Sequence, residues 1–258
     1  MADLRGEAIA GQPEQAAAWA AMAAQASRAL LQSKDKQAPR LLNGRDIKLH
    51  EDTASETLIL AALREVSDLA ILSEERGWVD GITAAEGAPY WVVDPLDGSF
   101  NYHRRVPLCC TSVALCVGFA PIVGAVFDFN RDELFVGGKG LPLTLNGVPL
   151  ELRDPSYRVL ATGLPVRGEF ADERMGDFAK DMLDWRKVRM IGSAALSLAW
   201  VAAGRFDAYR EAGISWWDVA GGLALVAAAG GDVTISGDSV EAPLAILALN
   251  AATAQETA

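Results

Sequence analysis

Between residues 91 and 99 the chain reads Trp-Val-Val-Asp-Pro-Leu-Asp-Gly-Ser, and few segments restrict a fold as tightly. A short apolar run ending in acidic and turn-forming residues is read as a buried strand, over residues 90–93, that delivers Asp94 to its C-terminal end. Pro95 keeps Asp94 extended, and the turn through Asp97 and Gly98 presents a second carboxylate from the same bend. Two carboxylates leaving one buried strand end repel each other unless a cation lies between them. The backbone carbonyl of Leu96 adds another hard oxygen suited to Mg²⁺. A Pro-containing type I turn with Asp and Gly in favoured positions accounts for the same residues without a metal.

The rest of the chain has the material to bury such a strand. It has 258 residues, 51% of them hydrophobic, enough for one large or two closely packed domains. Its formal charge is −11, from 34 acidic and 23 basic residues spread along the chain. That balance argues against nucleic acid or an anionic membrane as the main partner, since both call for a basic footprint. Cys109, Cys110 and Cys116 are odd in number and confined to one apolar stretch. They make a poor disulfide framework and point to a reducing compartment. The N-terminal Ala-rich segment follows acidic residues instead of a basic n-region, so it is expected to be an amphipathic helix and not a signal peptide. The uncharged run 107–127 is interrupted at Gly118 and Pro121 and is expected to form two strands joined by a turn, not a membrane span.

Helices are expected at residues 13–31 and 53–66, the second opening on a capping box from Thr53 to Glu56, with a turn at 43–46 between them. Strands are expected at 69–72, 90–93, 110–117, 122–127 and 133–136. Turn residues cluster at 146–155, the most plausible subdomain boundary. Beyond it, strands at 158–161, 187–190, 206–210, 232–235 and 244–249 alternate with helices at 172–183, 193–203 and 217–229. The first half therefore reads as α+β and the second as α/β.

Two more acidic segments draw notice. Ser73-Glu74-Glu75 follows an expected strand, and Asp52 stands near a helix start; solvated surface and helix capping are the plain alternatives. In Trp216-Trp217-Asp218-Val219-Ala220-Gly221-Gly222, Asp218 falls where a helix begins, a comfortable place for a capping carboxylate. Capping does not explain the two tryptophans or the small residues that follow, which permit close packing of that helix.

Taken together, Glu74-Glu75, Asp94-Pro95-Leu96-Asp97-Gly98-Ser99 and Trp217-Asp218-Val219-Ala220-Gly221-Gly222, in this order, resemble the signatures of the inositol monophosphatase family of metal-dependent, usually lithium-sensitive phosphatases. The resemblance extends from about residue 46 to 250. It implies the layered αβαβα sandwich shared with fructose-1,6-bisphosphatase, with residues 1–150 carrying most metal ligands and 151–258 carrying Asp218 and the substrate contacts. It implies one Mg²⁺ on Glu74, Asp94 and the Leu96 carbonyl and a second on Asp94, Asp97 and Asp218. A third, weaker position falls to Glu74 and Asp52. Ser99, with Asp52 as its carboxylate partner, would orient a metal-activated water for in-line attack, and the amides of Gly98 and Ser99 would grip the phosphate. Gly192, Ser193, Ala194 and Glu211 align with segments that contact the substrate's hydroxyl-bearing body, and Asp218 borders the same space. Glu211 could instead pair with Arg210 or Arg205.

The implied activity is Mg²⁺-dependent hydrolysis of a small polyol phosphate, inositol monophosphate or a related sugar phosphate, by a cytoplasmic homodimer. Fructose-1,6-bisphosphatase, 3′(2′),5′-bisphosphate nucleotidase and histidinol phosphatase share such a site, and a catalytically silent binding or scaffold member is the rival from another class. One departure stands out. The family often has Thr-x-x-Asp where this chain has Leu49-His50-Glu51-Asp52, so the Thr is missing and Glu51 adds a negative charge near the third metal position. His50 and His103 are not needed by this chemistry. Arg104, Arg105, Arg153 and Arg167 are surface charge by default, with a second phosphate as the alternative.

Overall fold

The computed structural model describes residues 11–33, 41–43, 46–150, 156–164 and 172–257. Alanine-rich sequence forms helix α1 (Pro13–Gln25), opened by a proline where no amide is needed, and a single turn, α2 (Arg28–Leu31), continues it after a break. The expected uninterrupted helix over 13–31 is thus two pieces. Strands β1 (Leu41–Asn43) and β2 (Asp46–Lys48) pair antiparallel, and residues 44 and 45 of the expected turn lie outside the described residues.

Helix α3 (His50–Val66) starts three residues earlier than the sequence suggests. The Asp52 carboxylate accepts the Leu49 amide at 2.6 Å and so closes the first turn, whereas Glu56 is drawn to Ser73 and Arg76. The Thr53 to Glu56 capping box is therefore not the one used.

Strand β3 (Ala70–Ser73) lies parallel to β5 (Pro89–Asp97) and is flanked by the short β4 (Gly77–Trp78). Beyond β5, an antiparallel meander runs through β6 (Cys110–Val117), β7 (Ala120–Asp128), β8 (Glu133–Gly138), β9 (Leu141–Leu145) and β10 (Val148–Pro149). The uncharged run 107–127 is the β6–β7 hairpin, and no helix among the described residues is long and apolar enough to cross a membrane. The second sheet holds β11 (Val159–Thr162), β12 (Lys187–Arg189), β13 (Ala208–Ile214), β14 (Asp232–Ser236) and β15 (Leu244–Leu249), in the order β12-β11-β13-β15-β14. In the first half α4 (Ser99–Arg104) follows β5 directly, and the helices of the second half are α5 (Asp172–Leu183), α6 (Ala194–Ala202), α7 (Trp216–Ala228) and α8 (Ala251–Thr257).

Side-chain alternation along β5 shows how the layers stack. Trp91 and Val93 pack with Ala20, Ile59 and Leu63 of α1 and α3. Tyr90 and Val92 face the other way, toward Leu198, Val219 and Leu223 of α6 and α7, and toward Tyr209 and Ile246 of the second sheet. Leu160, Ala208 and Leu249 on that sheet's far face pack with Met182 and Ala254 of α5 and α8. Helices, sheet, helices, sheet, helices is the expected αβαβα sandwich, and a strand covered on both faces is apolar where the layers meet it, as β5 is from Pro89 to Val93 before its buried end turns acidic.

Glycines set the spacing between α7 and the first sheet. A methyl group added at Gly124 on β7 would lie 2.1 Å from the Gly221 carbonyl, and one at Gly221 would lie 2.4 Å from Ser112 Oγ on β6. Gly222 fits against Leu198 of α6 in the same way. The small residues after Asp218 are thus what lets α7 lie against both neighbours. Gly124→Ala is expected to force α7 off the sheet because a rigid backbone oxygen blocks the methyl. The cost should be about 1–3 kcal/mol, seen as a lower urea midpoint at unchanged slope.

Candidate active site

A bulge brings the first two carboxylates to one side. Asp94 pairs with Ser112 and Asp97 with Cys110, so three steps on β5 match two on β6. Residues three apart on a regular strand point to opposite faces, and the extra residue re-aims one of them. Asp94, Asp97, Leu96, Gly98 and Ser99 line one cleft of about 460 Å³ together with Glu74 from the end of β3, Asp218 from the first turn of α7, Lys48, Phe100 and Gly192. Gly98 stands at φ +85°, which only glycine adopts freely, and a side chain there would meet the Leu108 carbonyl at 2.9 Å.

The three aspartates each keep an oxygen on a protein donor. Asp94 Oδ1 accepts the Leu96 amide at 3.0 Å, and Asp97 Oδ2 accepts the Ser193 hydroxyl at 2.6 Å and the Ala195 amide at 2.7 Å, at the start of α6. Asp218 Oδ2 accepts the Ser215 amide at 3.0 Å, as a residue closing the first turn of α7 does. Asp52 lies beside this group, its Oδ1 3.1 Å from Ser99 Oγ. Among the described residues no three His, Cys, Asp or Glu side chains already converge as ligands of one ion.

Two observations nevertheless fit a hard divalent cation. The donors are all oxygens, and Asp94 Oδ2 is buried with no protein N–H or hydroxyl donor, a costly state that a cation relieves, as does a proton shared with Glu74. The electrostatics agree. Burial, then the charges of Glu74, Asp97 and Asp218, hold the Asp94 carboxyl well above its ordinary pKa. Burial with Glu74 and Asp97 does the same to Asp218, and burial raises Asp97 against the donors of α6. Burial lifts Glu74 to about 7, opposed by the Lys48 ammonium and reinforced by Glu75 and Asp52. It lifts Asp52 to about 6.

The proposed substrate residues adjoin this cleft. Glu211 shares a second hollow of about 410 Å³ with Gly192, Ser193, Ala194, Asp97 and Asp218. It accepts the Tyr209 hydroxyl at 2.7 Å, and Gly163 leaves room for its carboxylate, since a methyl group there would come within 2.3 Å of it. Neither expected arginine partner is used: Arg210 pairs with Asp181 at 2.8 Å and Arg205 with Glu133 at 2.6 Å. Arg153 and Arg167 lie outside the described residues.

Sequence reasoning missed Asn101 and Lys48. Asn101 Nδ2 donates to the carbonyls of Leu108 (2.8 Å) and Ile191 (2.7 Å), tying α4 to the Gly192 loop; its place two residues after Ser99 was the available signal. Lys48 reaches Glu75 and stands 3.6 Å from Glu74. Burial alone would lower the pKa of its ammonium, but the two glutamates outweigh burial and hold it above its usual value. Nothing in the local sequence pairs Lys48 with residues 74 and 75.

A layered αβαβα sandwich with a carboxylate cleft at the end of its central strands defines a class of phosphatase folds. The chain belongs to the inositol monophosphatase family, whose model matches residues 8–257. It is 36% identical over 208 residues to Nus factor SuhB of Pasteurella multocida, covering 77% of this chain and 75% of that one. With Nus factor SuhB of Escherichia coli K12 it shares 36% over 194 residues, 73% and 72% of the two chains. Among solved structures, the inositol monophosphatase of Anabaena (Nostoc) sp. PCC 7120 superposes with a TM-score of 0.76 at 34% identity, over 94% of this chain and 93% of that one. The extragenic suppressor protein suhB of Bartonella henselae gives 0.77 at 26%, over 93% and 95%.

The raised pKa values carry a sign that can be measured. With folded values near 6 and 7 for Asp52 and Glu74, against ordinary values near 4, the folded chain binds more protons than the unfolded chain across that interval. The contribution of these two groups to stability is therefore most favourable below about pH 4 and is lost as pH rises through 6 to 7. In EDTA the melting temperature is expected to fall from pH 5 to pH 8, and millimolar Mg²⁺ should flatten that fall. Differential scanning fluorimetry across the pH series checks it.

Proposed function

We propose that the chain is a Mg²⁺-dependent phosphomonoesterase acting on a small polyol phosphate, inositol monophosphate or a related sugar phosphate. The observation that carries this reading is the buried, donor-less Asp94 Oδ2 at the meeting point of four mutually repelling carboxylates. Glu74, Asp94 and the Leu96 carbonyl would hold one ion, and Asp94, Asp97 and Asp218 a second. When bound, Mg²⁺ supplies the positive charge that lets an acidic cleft accept a phosphate, acidifies water and stabilises the leaving oxygen.

The remaining work falls to the protein. Ser99 Oγ stands 3.1 Å from Asp52 Oδ1 and 2.9 Å from the Leu96 carbonyl, and with one proton it donates to one of them at a time. Donating to Asp52 leaves an Oγ lone pair to accept a hydrogen bond from the attacking water, and Asp52, with a pKa of about 6, takes up the proton that passes along this path. The amides of Gly98 and Ser99 grip phosphate oxygens, and Asn101 keeps that turn fixed against Gly192. Glu211, in the adjoining hollow with Ser193 and Ala194, accepts hydrogen bonds from the alcohol's hydroxyls.

The relatives are named Nus factor SuhB, which is the name of a factor and not of a hydrolase, so a non-catalytic role is the second reading. For the same reason, the exclusion of nucleic acid argued from charge draws no support from them. Phosphate release from a panel of esters, with and without Mg²⁺, separates the readings. Hydrolysis of a polyol phosphate that stops in EDTA is expected, and no release from any ester would leave the second.

Asp94→Asn and Asp218→Asn should each lower turnover by roughly 100-fold or more while the chain still folds. Asn serves a helix start nearly as well as Asp, so a capping role alone for Asp218 would leave turnover and Mg²⁺ dependence at wild-type values. Asp218→Asn should recover in part at high Mg²⁺, because it weakens one site, whereas Asp94→Asn weakens two. Glu211→Gln is expected to reorder the substrates in the panel without altering the Mg²⁺ concentration needed for half-maximal rate.

A further inference from the structure

We propose that the Lys48 ammonium is a built-in cation that takes the place of a third metal ion, so that this chain binds two ions where Glu74 and Asp52 would otherwise admit another. The inference rests on the reading of the cleft carboxylates as metal ligands. Lys48 ends β2, one residue before the helix start that Asp52 closes, and lines the same cleft as Glu74, Asp94 and Ser99. Its ammonium pairs with Glu75, whose side chain is 13% exposed, and lies 3.6 Å from Glu74 Oε1.

A Mg²⁺ bonded to Glu74 Oε1, at about 2.1 Å, would stand within roughly 6 Å of that ammonium, well inside the distance over which charges at a partly buried site repel. The two fully built positions can bear this. One has Asp94 and the Leu96 carbonyl besides Glu74, and the other does not use Glu74. The third has only Glu74 and Asp52, and Asp52 already accepts the Leu49 amide at 2.6 Å and faces Ser99 Oγ at 3.1 Å. A covalently tethered cation needs no further ligands and is present at every metal concentration.

The test counts ions without turnover. Mn²⁺ is titrated into the full-length protein to millimolar concentration, and the free ion is measured by electron paramagnetic resonance. Wild type and Lys48→Arg, which keeps the charge, are expected to bind two ions, and Lys48→Ala three. If Lys48→Ala does not fold, Lys48→Met is read in its place. The double variant Lys48→Ala/Glu75→Gln removes the carboxylate that the single variant leaves unpaired. It should still bind three ions; a return to two would make Glu75 the new ligand and overturn the proposal.

Three ions in the wild type, or two in both the wild type and Lys48→Ala, would also overturn it and leave Lys48 as a counter-ion to Glu75 alone. No bound ion in the wild type would instead overturn the reading of the cleft as a metal site, and this proposal with it.

Discussion

Burying carboxylates against one another at the end of β5 is the constraint on which the rest of this structure depends. Asp94 is 1% exposed, and like charges in such a place are tolerated only if they are protonated, hydrogen-bonded or met by a cation. The fold supplies donors one carboxylate at a time: the Leu96 amide for Asp94, the start of α6 for Asp97 and the start of α7 for Asp218. Each donor satisfies one oxygen and fixes a rotamer. What is left over, most plainly Asp94 Oδ2, is a concentration of negative charge that the protein's own donors do not satisfy.

That demand accounts for features far from the cleft. Helix α6 must start at the edge of the first sheet for its amides to reach Asp97, and α7 must start there to carry Asp218 into the cleft, which requires both to lie close against the sheet. Gly124, Gly221 and Gly222 permit that approach. The same two helices fill the space between the sheets, so the helix starts that hold carboxylates belong to the most deeply buried layer of the molecule. Rigid placement follows from packing on both faces, and a site built on such elements needs little reorganisation when charge develops during a reaction.

The acidic cleft is also graded. Lys48 stands at its Glu74 side, and Glu211 with its Tyr209 hydrogen bond stands on the far side beyond Asp97 and Asp218. The cleft thus runs from an ammonium at one end to a hydrogen-bonded carboxylate at the other. This polarity follows from which element contributes each residue: β2 and β3 on one side, β13 and the α6 loop on the other.

The primary sequence by itself determined the strand core and the family, and it named the oxygen donors that the fold gathers at the end of β5. An apolar run ending in Asp-Pro-Leu-Asp-Gly-Ser reads as a buried strand with a turn at its end, and the small residues after Trp217-Asp218 permit a closely packed helix. The limits of β6, β15 and α5 were legible too, because periodicity and turn residues are local properties. Only the tertiary structure decided what depends on long-range partners. Helix α3 begins at His50 because its Asp52 closes that turn while facing a serine 47 positions away. Glu211 faces a hollow because Arg210 and Arg205 found Asp181 and Glu133. Lys48 lies on Glu74 and Glu75 because β2 and the end of β3 meet at the same edge of the cleft. No local pattern encodes these meetings, since a charged side chain far along the chain is recognised only by the distance at which folding leaves it.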